Sequence, residues 1–119
     1  MFGWVHQKHQ VSRCSSSSKR YKHDITEVDK ELNPQKLYDL PVHSFTYNEG
    51  YLSQSDKNYG KRMIGFIAEE VAEIYPKACQ YNELNQAEMW NVQIIVPALL
   101  KLIQEQYDEI CNIKEVLYG

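Results

Sequence analysis

Long apolar runs are missing from this 119-residue chain. No stretch approaches the roughly 18 consecutive apolar residues that a bilayer-spanning helix needs. The opening Met1-Phe2-Gly3-Trp4-Val5-His6 lacks the long apolar core of a signal peptide, so nothing directs the chain into a secretory route. Cysteine is scarce: Cys14, Cys79 and Cys111 are an odd number, with no close pair and no histidine at zinc-ligand spacing. That excludes a disulfide framework and a structural zinc site and reads as reduced thiols in a cytoplasm. Charge of one sign is also lacking. A formal net charge of -3 argues against a nucleic-acid module, although residues 19 to 23 are locally basic. His6 and His9 stand at helical spacing, but no third ligand accompanies them, and residues 1 to 14 show no sustained period. They read as a solvated leader. One domain is the natural count, and a chain this short buries only about two thirds of its unfolded surface, so its stability calls for help from oligomerisation.

Against that background one stretch stands out. Ser15-Ser16-Ser17-Ser18 passes directly into Lys19-Arg20-Tyr21-Lys22-His23, with an apolar anchor at Ile25. On spacing alone, a serine run ahead of basic residues is a solvated linker. The sharper reading is a serine–lysine pair, in which a lysine amine acts as general base for a serine hydroxyl. The amine must then be neutral, and burial beside other cations is what favours a neutral lysine. Lys19, Arg20 and His23 are such cations. The serine run leaves the register open by one residue.

Downstream, Ile25, Val28, Leu32, Leu37 and Leu40 form a broken helical stripe interrupted at Asn33-Pro34. Pro34 suits the first turn of a helix capped by Asn33, which predicts a short helix over 34–39. Pro41 closes it and launches a strand in which Val42, Ser44 and Thr46 alternate with His43, Phe45 and Tyr47. His43 reads first as a hydrogen-bonded sheet histidine. Residues 48–62 are polar and carry Gly50 and Gly60, a long hairpin connection or surface protrusion whose Tyr51, Leu52 and Tyr59 are its apolar contacts. A second strand is expected over 63–68, with Gly65 permitting close backbone approach. A helix over 69–75 follows, with Val71, Ala72 and Ile74 inward and Pro76 as its stop. Glu69 and Glu70 favour the positive end of its dipole. Residues 77–81 read as a third strand and 82–85 as a turn.

The longest periodic segment comes last. Val92, Val96, Leu99, Ile103, Gln106, Ile110, Ile113 and Leu117 follow alternating steps of four and three, the spacing of a coiled-coil seam. Only Gln106 breaks the apolar series. A helix of about 26 residues is near 39 Å long, more than so small a domain covers by itself. The seam therefore points to other copies of the same helix, without choosing between two strands and three. Pro97 is expected either to kink this helix or to mark its start.

Several blocks together resemble a known family. Ser17-Ser18-Lys19-Arg20-Tyr21-Lys22, then Pro41-Val42-His43-Ser44-Phe45-Thr46-Tyr47, then Ile64-Gly65-Phe66-Ile67-Ala68-Glu69-Glu70-Val71 with Ile74-Tyr75-Pro76, and finally Val96-Pro97-Ala98-Leu99-Leu100-Lys101-Leu102-Ile103-Gln104-Glu105 occur in order. In that order and spacing they are similar to the intramolecular chaperone auto-processing domains, the peptidase S74 family, found at the C-termini of phage tailspikes, tail fibres and endosialidases. The resemblance spans about residues 15 to 117.

The resemblance implies an α+β fold: a small body of sheet and short helices, with a long C-terminal helix forming a trimeric coiled coil. It implies a leader at 1–14 that ends an upstream fibre or shaft region, followed by the chaperone domain at 15–119. It implies Ser17 as nucleophile and Lys22 as base, with the Ser17–Ser18 bond cut in a single turnover in cis. Arg20 or backbone amides would hold the oxyanion, and His43 and Glu70 would support the site. Partners would be two further copies of the chain and the upstream part of the same polypeptide, with no cofactor, metal, nucleic acid or membrane. The setting would be the host bacterial cytoplasm during assembly and the virion tail afterwards. One departure is plain: many members carry Asp directly after the nucleophilic serine, where this chain has Ser18. The competing reading is a non-catalytic trimerisation cap that stays attached to its fibre. The family's occurrence in membrane-tethered eukaryotic transcription factors finds no support in this acidic chain, which has no membrane span.

Overall fold

The computed structural model describes residues 16–28 and 30–119. The leader with its His6 and His9, and Cys14 with it, lies outside the described residues. The chain divides between Glu31 and Leu32 into two compact units.

In the first unit, a 3-10 turn, Lys19–Tyr21, is followed by irregular chain over residues 22–28. Ile25 and Val28 are exposed there and do not continue a helix, so the first part of the expected stripe is not realised, while Leu32, Leu37 and Leu40 join the core. Asp24, in the left-handed region at φ 57°, breaks the helical path directly ahead of Ile25.

The second unit begins with a 3-10 helix, Pro34–Asp39, at the bounds that Pro34 predicts. Asn33 does not cap it through its side chain. It takes a left-handed conformation, φ 46°, and its carbonyl accepts from the Lys36 N–H. Asn is among the few residues that adopt this geometry readily, so it makes the turn rather than the cap. Strands β1 (His43–Phe45) and β2 (Met63–Gly65) pair antiparallel, His43 opposite Gly65 and Phe45 opposite Met63. Residues 46–62 between them are the long connection that the composition foretells. At its neck the Arg62 guanidinium donates to Ser44 Oγ at 2.9 Å, to the Ser44 carbonyl at 3.1 Å and to Thr46 Oγ1 at 3.3 Å. On the other face of β1, Phe45 packs edge-on to Tyr47, and Tyr47 stacks on Tyr51.

Helix α1 (Ala68–Ile74) follows, halted ahead of Pro76. A 3-10 turn, Pro76–Ala78, leads into β3 (Cys79–Tyr81), which pairs antiparallel with β4 (Ala87–Trp90). Their tight connection is built on Asn82, whose side-chain oxygen accepts from the N–H groups of Leu84 and Gln86. Asn85 supplies the left-handed residue of that turn.

Helix α2 (Val92–Tyr118) closes the chain. Asn91 caps it, its side chain accepting from the Gln93 N–H, while the Asn91 N–H donates to the Ala78 carbonyl. The helix therefore starts at Val92, not at Pro97, which lies within it.

The core unites Leu37 and Leu40, Val71 and Tyr75 of α1, Ala78, and Ile95, Ala98 and Leu102 of α2. Tyr75 is buried, and its hydroxyl donates to the Leu32 carbonyl, which gives the phenol a partner inside. Burial pushes its pKa up. The fold is thus α+β, with two small antiparallel sheets and one long helix among the described residues.

Candidate active site

A 3-10 turn shapes the basic segment. Ser18 caps it: its hydroxyl accepts from the Arg20 N–H at 3.2 Å and its carbonyl from the Tyr21 N–H at 3.0 Å, while the Lys22 N–H donates to the Lys19 carbonyl. One reversal of the chain between them brings residues 17 and 22 together. Lys22 Nζ donates to Ser17 Oγ at 2.9 Å. The two serines are therefore not equivalent: the Ser18 hydroxyl is committed to the turn, and Ser17 is the one that meets the amine. The role of Ser18 has a sequence signal, a serine two residues ahead of a backbone N–H in a turn-prone polar stretch, which the resemblance to an active-site signature overshadows.

Ser17 and Lys22 are both exposed. The Arg20 guanidinium lies on its neighbour, donating to the Tyr21 hydroxyl at 2.8 Å and standing 4.9 Å from that ring's centroid. The N–H groups of Arg20, Tyr21 and Lys22 are all engaged within the turn.

In the second unit the structure joins the two supporting candidates. His43 Nε2 and Glu70 Oε1 are 2.7 Å apart, linking β1 to the first turn of α1. Both side chains are partly exposed. Glu70 thus has a specific partner in addition to the favourable end of the helix dipole. An open, largely apolar cleft of about 640 Å³ lies between the two hairpins, lined by Phe45, Tyr47, Met63, Phe66, Met89 and Trp90. Phe66 and Trp90 meet edge to face at 4.9 Å.

The seam residues sit on a face of α2 that the body leaves open. Ile95, Ala98 and Leu102 turn inward. The stripe from Val92 to Leu117 is rotated from them by roughly 80° at 3.6 residues per turn. Val96, Ile103 and Ile110 are 56%, 59% and 51% exposed, while Gln106 of the same stripe is half-buried. Among the described residues, no cluster of three or more His, Cys, Asp or Glu side chains suits a metal, and no helix is long and apolar enough to cross a membrane.

Comparison with known proteins gives one finding. The model of a family described as chaperone of endosialidase matches residues 17–79, more than half of the chain, and begins at Ser17. No curated protein matches. The match starts on the serine that Lys22 reaches and runs through both hairpin strands and α1 to Cys79. The chain belongs to the chaperone-of-endosialidase family.

Proposed function

We propose that this chain is the C-terminal intramolecular chaperone of a phage tail or fibre protein, which trimerises its parent polypeptide and then releases itself by serine–lysine autoproteolysis. The observation that carries the catalytic half is the 2.9 Å contact between Ser17 Oγ and Lys22 Nζ at the head of the family match. The chaperone half rests on family membership and on the exposed heptad stripe of α2.

Assembly and chemistry are coupled. Three copies of α2 zipping along the stripe bring the upstream chains into register, which lowers the entropic cost of starting interwound β-structure. Before assembly Ser17 and Lys22 face water, and an ammonium that donates to a hydroxyl does not activate it. Packing in the trimer takes the pair out of water, which favours the neutral amine, and the hydrogen bond reverses so that the hydroxyl donates. Ser17 Oγ then attacks the Ser17 carbonyl carbon as its proton passes to Lys22, Lys22 returns that proton to the Ser18 nitrogen as the C–N bond breaks, and water opens the ester that is left. The net reaction adds one water across the Ser17–Ser18 bond, leaving a carboxylate on Ser17 and an amine on Ser18. Cutting before assembly would discard the chaperone unused. Tyr51, Leu52 and Tyr59 on the 46–62 connection contact a neighbouring subunit or the upstream domain. Assembly takes place in the host bacterial cytoplasm, and the parent protein is carried in the virion tail.

The exposure of the pair and Ser18 in place of the family's frequent Asp favour one alternative, a trimerisation cap that remains attached. A chain fused to an upstream domain distinguishes the two by intact mass. Proteolysis yields a fragment beginning at Ser18, abolished in Ser17→Ala and in Lys22→Ala while assembly persists. A single full-length mass from the unsubstituted chain establishes the cap, and cutting at an unchanged rate in both variants removes the pair from the mechanism.

A further inference from the structure

We infer that Gln106 is the register lock of the seam, the side chain that fixes how copies of α2 align and how many align. This rests on the reading that copies of the chain assemble through that stripe. In the stripe Val92, Val96, Leu99, Ile103, Gln106, Ile110, Ile113 and Leu117, Gln106 is the one polar member and stands near the middle of the helix. It is half-buried against its own chain, and among the described residues no hydrogen bond engages its amide.

The aliphatic members of the stripe do not by themselves define an alignment. A slip of one heptad, about 10.5 Å along the axis, sets Val, Leu and Ile against Val, Leu and Ile again. Gln106 alone distinguishes the two arrangements. Aligned, three amides meet in one layer, and each donates to the carbonyl of the next around the axis. Slipped, each is buried against Leu99 or Ile113 with nothing to bond, which is the costly state for a polar group. The layer is less stabilising than leucine would be and more selective, the use to which single buried polar residues are put in coiled coils.

Selectivity of this kind matters for templating. A stagger of about 10.5 Å corresponds to about three residues of β-strand, and an odd slip turns a strand's buried face outward. A misaligned seam would hand that error to every strand upstream.

The test uses the full chain with Cys14, Cys79 and Cys111 replaced by serine, in two versions, Ile103→Cys and Ile110→Cys, one of them labelled with nitrogen-15. The two are mixed, assembled and oxidised. Positions 103 and 110 are one heptad apart, so like chains crosslink only when aligned and unlike chains only when slipped. With Gln106 in place, mass spectrometry is expected to show only like crosslinks in a trimer. With Q106L the melting temperature rises and unlike crosslinks, or a second oligomeric mass, appear, while Q106N keeps the single alignment. Q106L that leaves only like crosslinks and one oligomeric mass overturns the lock and leaves the trimer standing. A chain that sediments as a monomer with Gln106 in place overturns the trimer, and the lock with it.

Discussion

The two halves of α2 follow one heptad pattern and meet different surroundings. From Val92 to Glu105 the helix has a partner in its own chain: Ile95, Ala98 and Leu102 fill the core, and the Gln35 side-chain amide donates to Glu105 at 2.6 Å. From Tyr107 to Gly119 every residue is exposed, including Ile110, Ile113, Val116 and Leu117. The first half is a folding element of the body. The second has no cover among the described residues, and an isolated helix of that length is marginal in water. Hydrophobic periodicity alone does not separate these roles; burial does.

The comparison breaks most completely if charge is placed in the exposed half. Ile110→Asp with Ile113→Asp is expected to abolish assembly outright, leaving a monomer whose body still folds. Sedimentation reads the first, and near-ultraviolet dichroism of the packed Trp90 and Tyr75 reads the second. Loss of the body together with the assembly would show that the halves are not separable. In that monomeric background Ile95→Ala probes the other half, and a cost of about 2 to 5 kcal/mol is expected for emptying a site only 2% exposed, measured by urea unfolding. A cost near zero would deny the first half its role in the core.

The smallest effect concerns Tyr75. Tyr75→Phe removes the hydrogen bond to the Leu32 carbonyl and should cost about 1 kcal/mol at neutral pH. It should also change the alkaline limb. The folded phenol titrates above its ordinary value because it is buried, so its contribution is fully present below the unfolded pKa of about 10 and is lost as pH rises through the folded one. The wild-type body therefore loses stability above pH 10, and the phenylalanine variant loses less there. Parallel alkaline curves would assign the loss to other groups.

Much of this was legible in the residues. Pro34 and Pro76 placed one helix start and one helix stop because proline's missing N–H and fixed φ act locally. The alternation around β1 placed His43 on the side of Phe45 and Tyr47. Where long-range partners decide, the reading stopped. Strand β4 has only Ala, Glu, Met and Trp, with no β-branched residue and only one aromatic, and exists because Asn82 folds it onto β3. The inward apolar pattern of Ile25 and Val28 found no core to join. Within the candidate site, the family resemblance made Lys22 and Ser17 candidates, but only the turn capped by Ser18 distinguishes one serine from the next. His43 and Glu70 were each visible singly, yet their pairing depends on how β1 packs against α1.

The three bonds that Arg62 makes to Ser44 and Thr46 have a consequence for how such a domain diversifies. They hold the two ends of residues 46–62 at a fixed separation whatever happens beyond them, and doubling the length of a flexible loop costs only about 0.6 kcal/mol. The two paired strands therefore have little stake in the length of that appendage, which can be recut while the body beneath it stays unaltered.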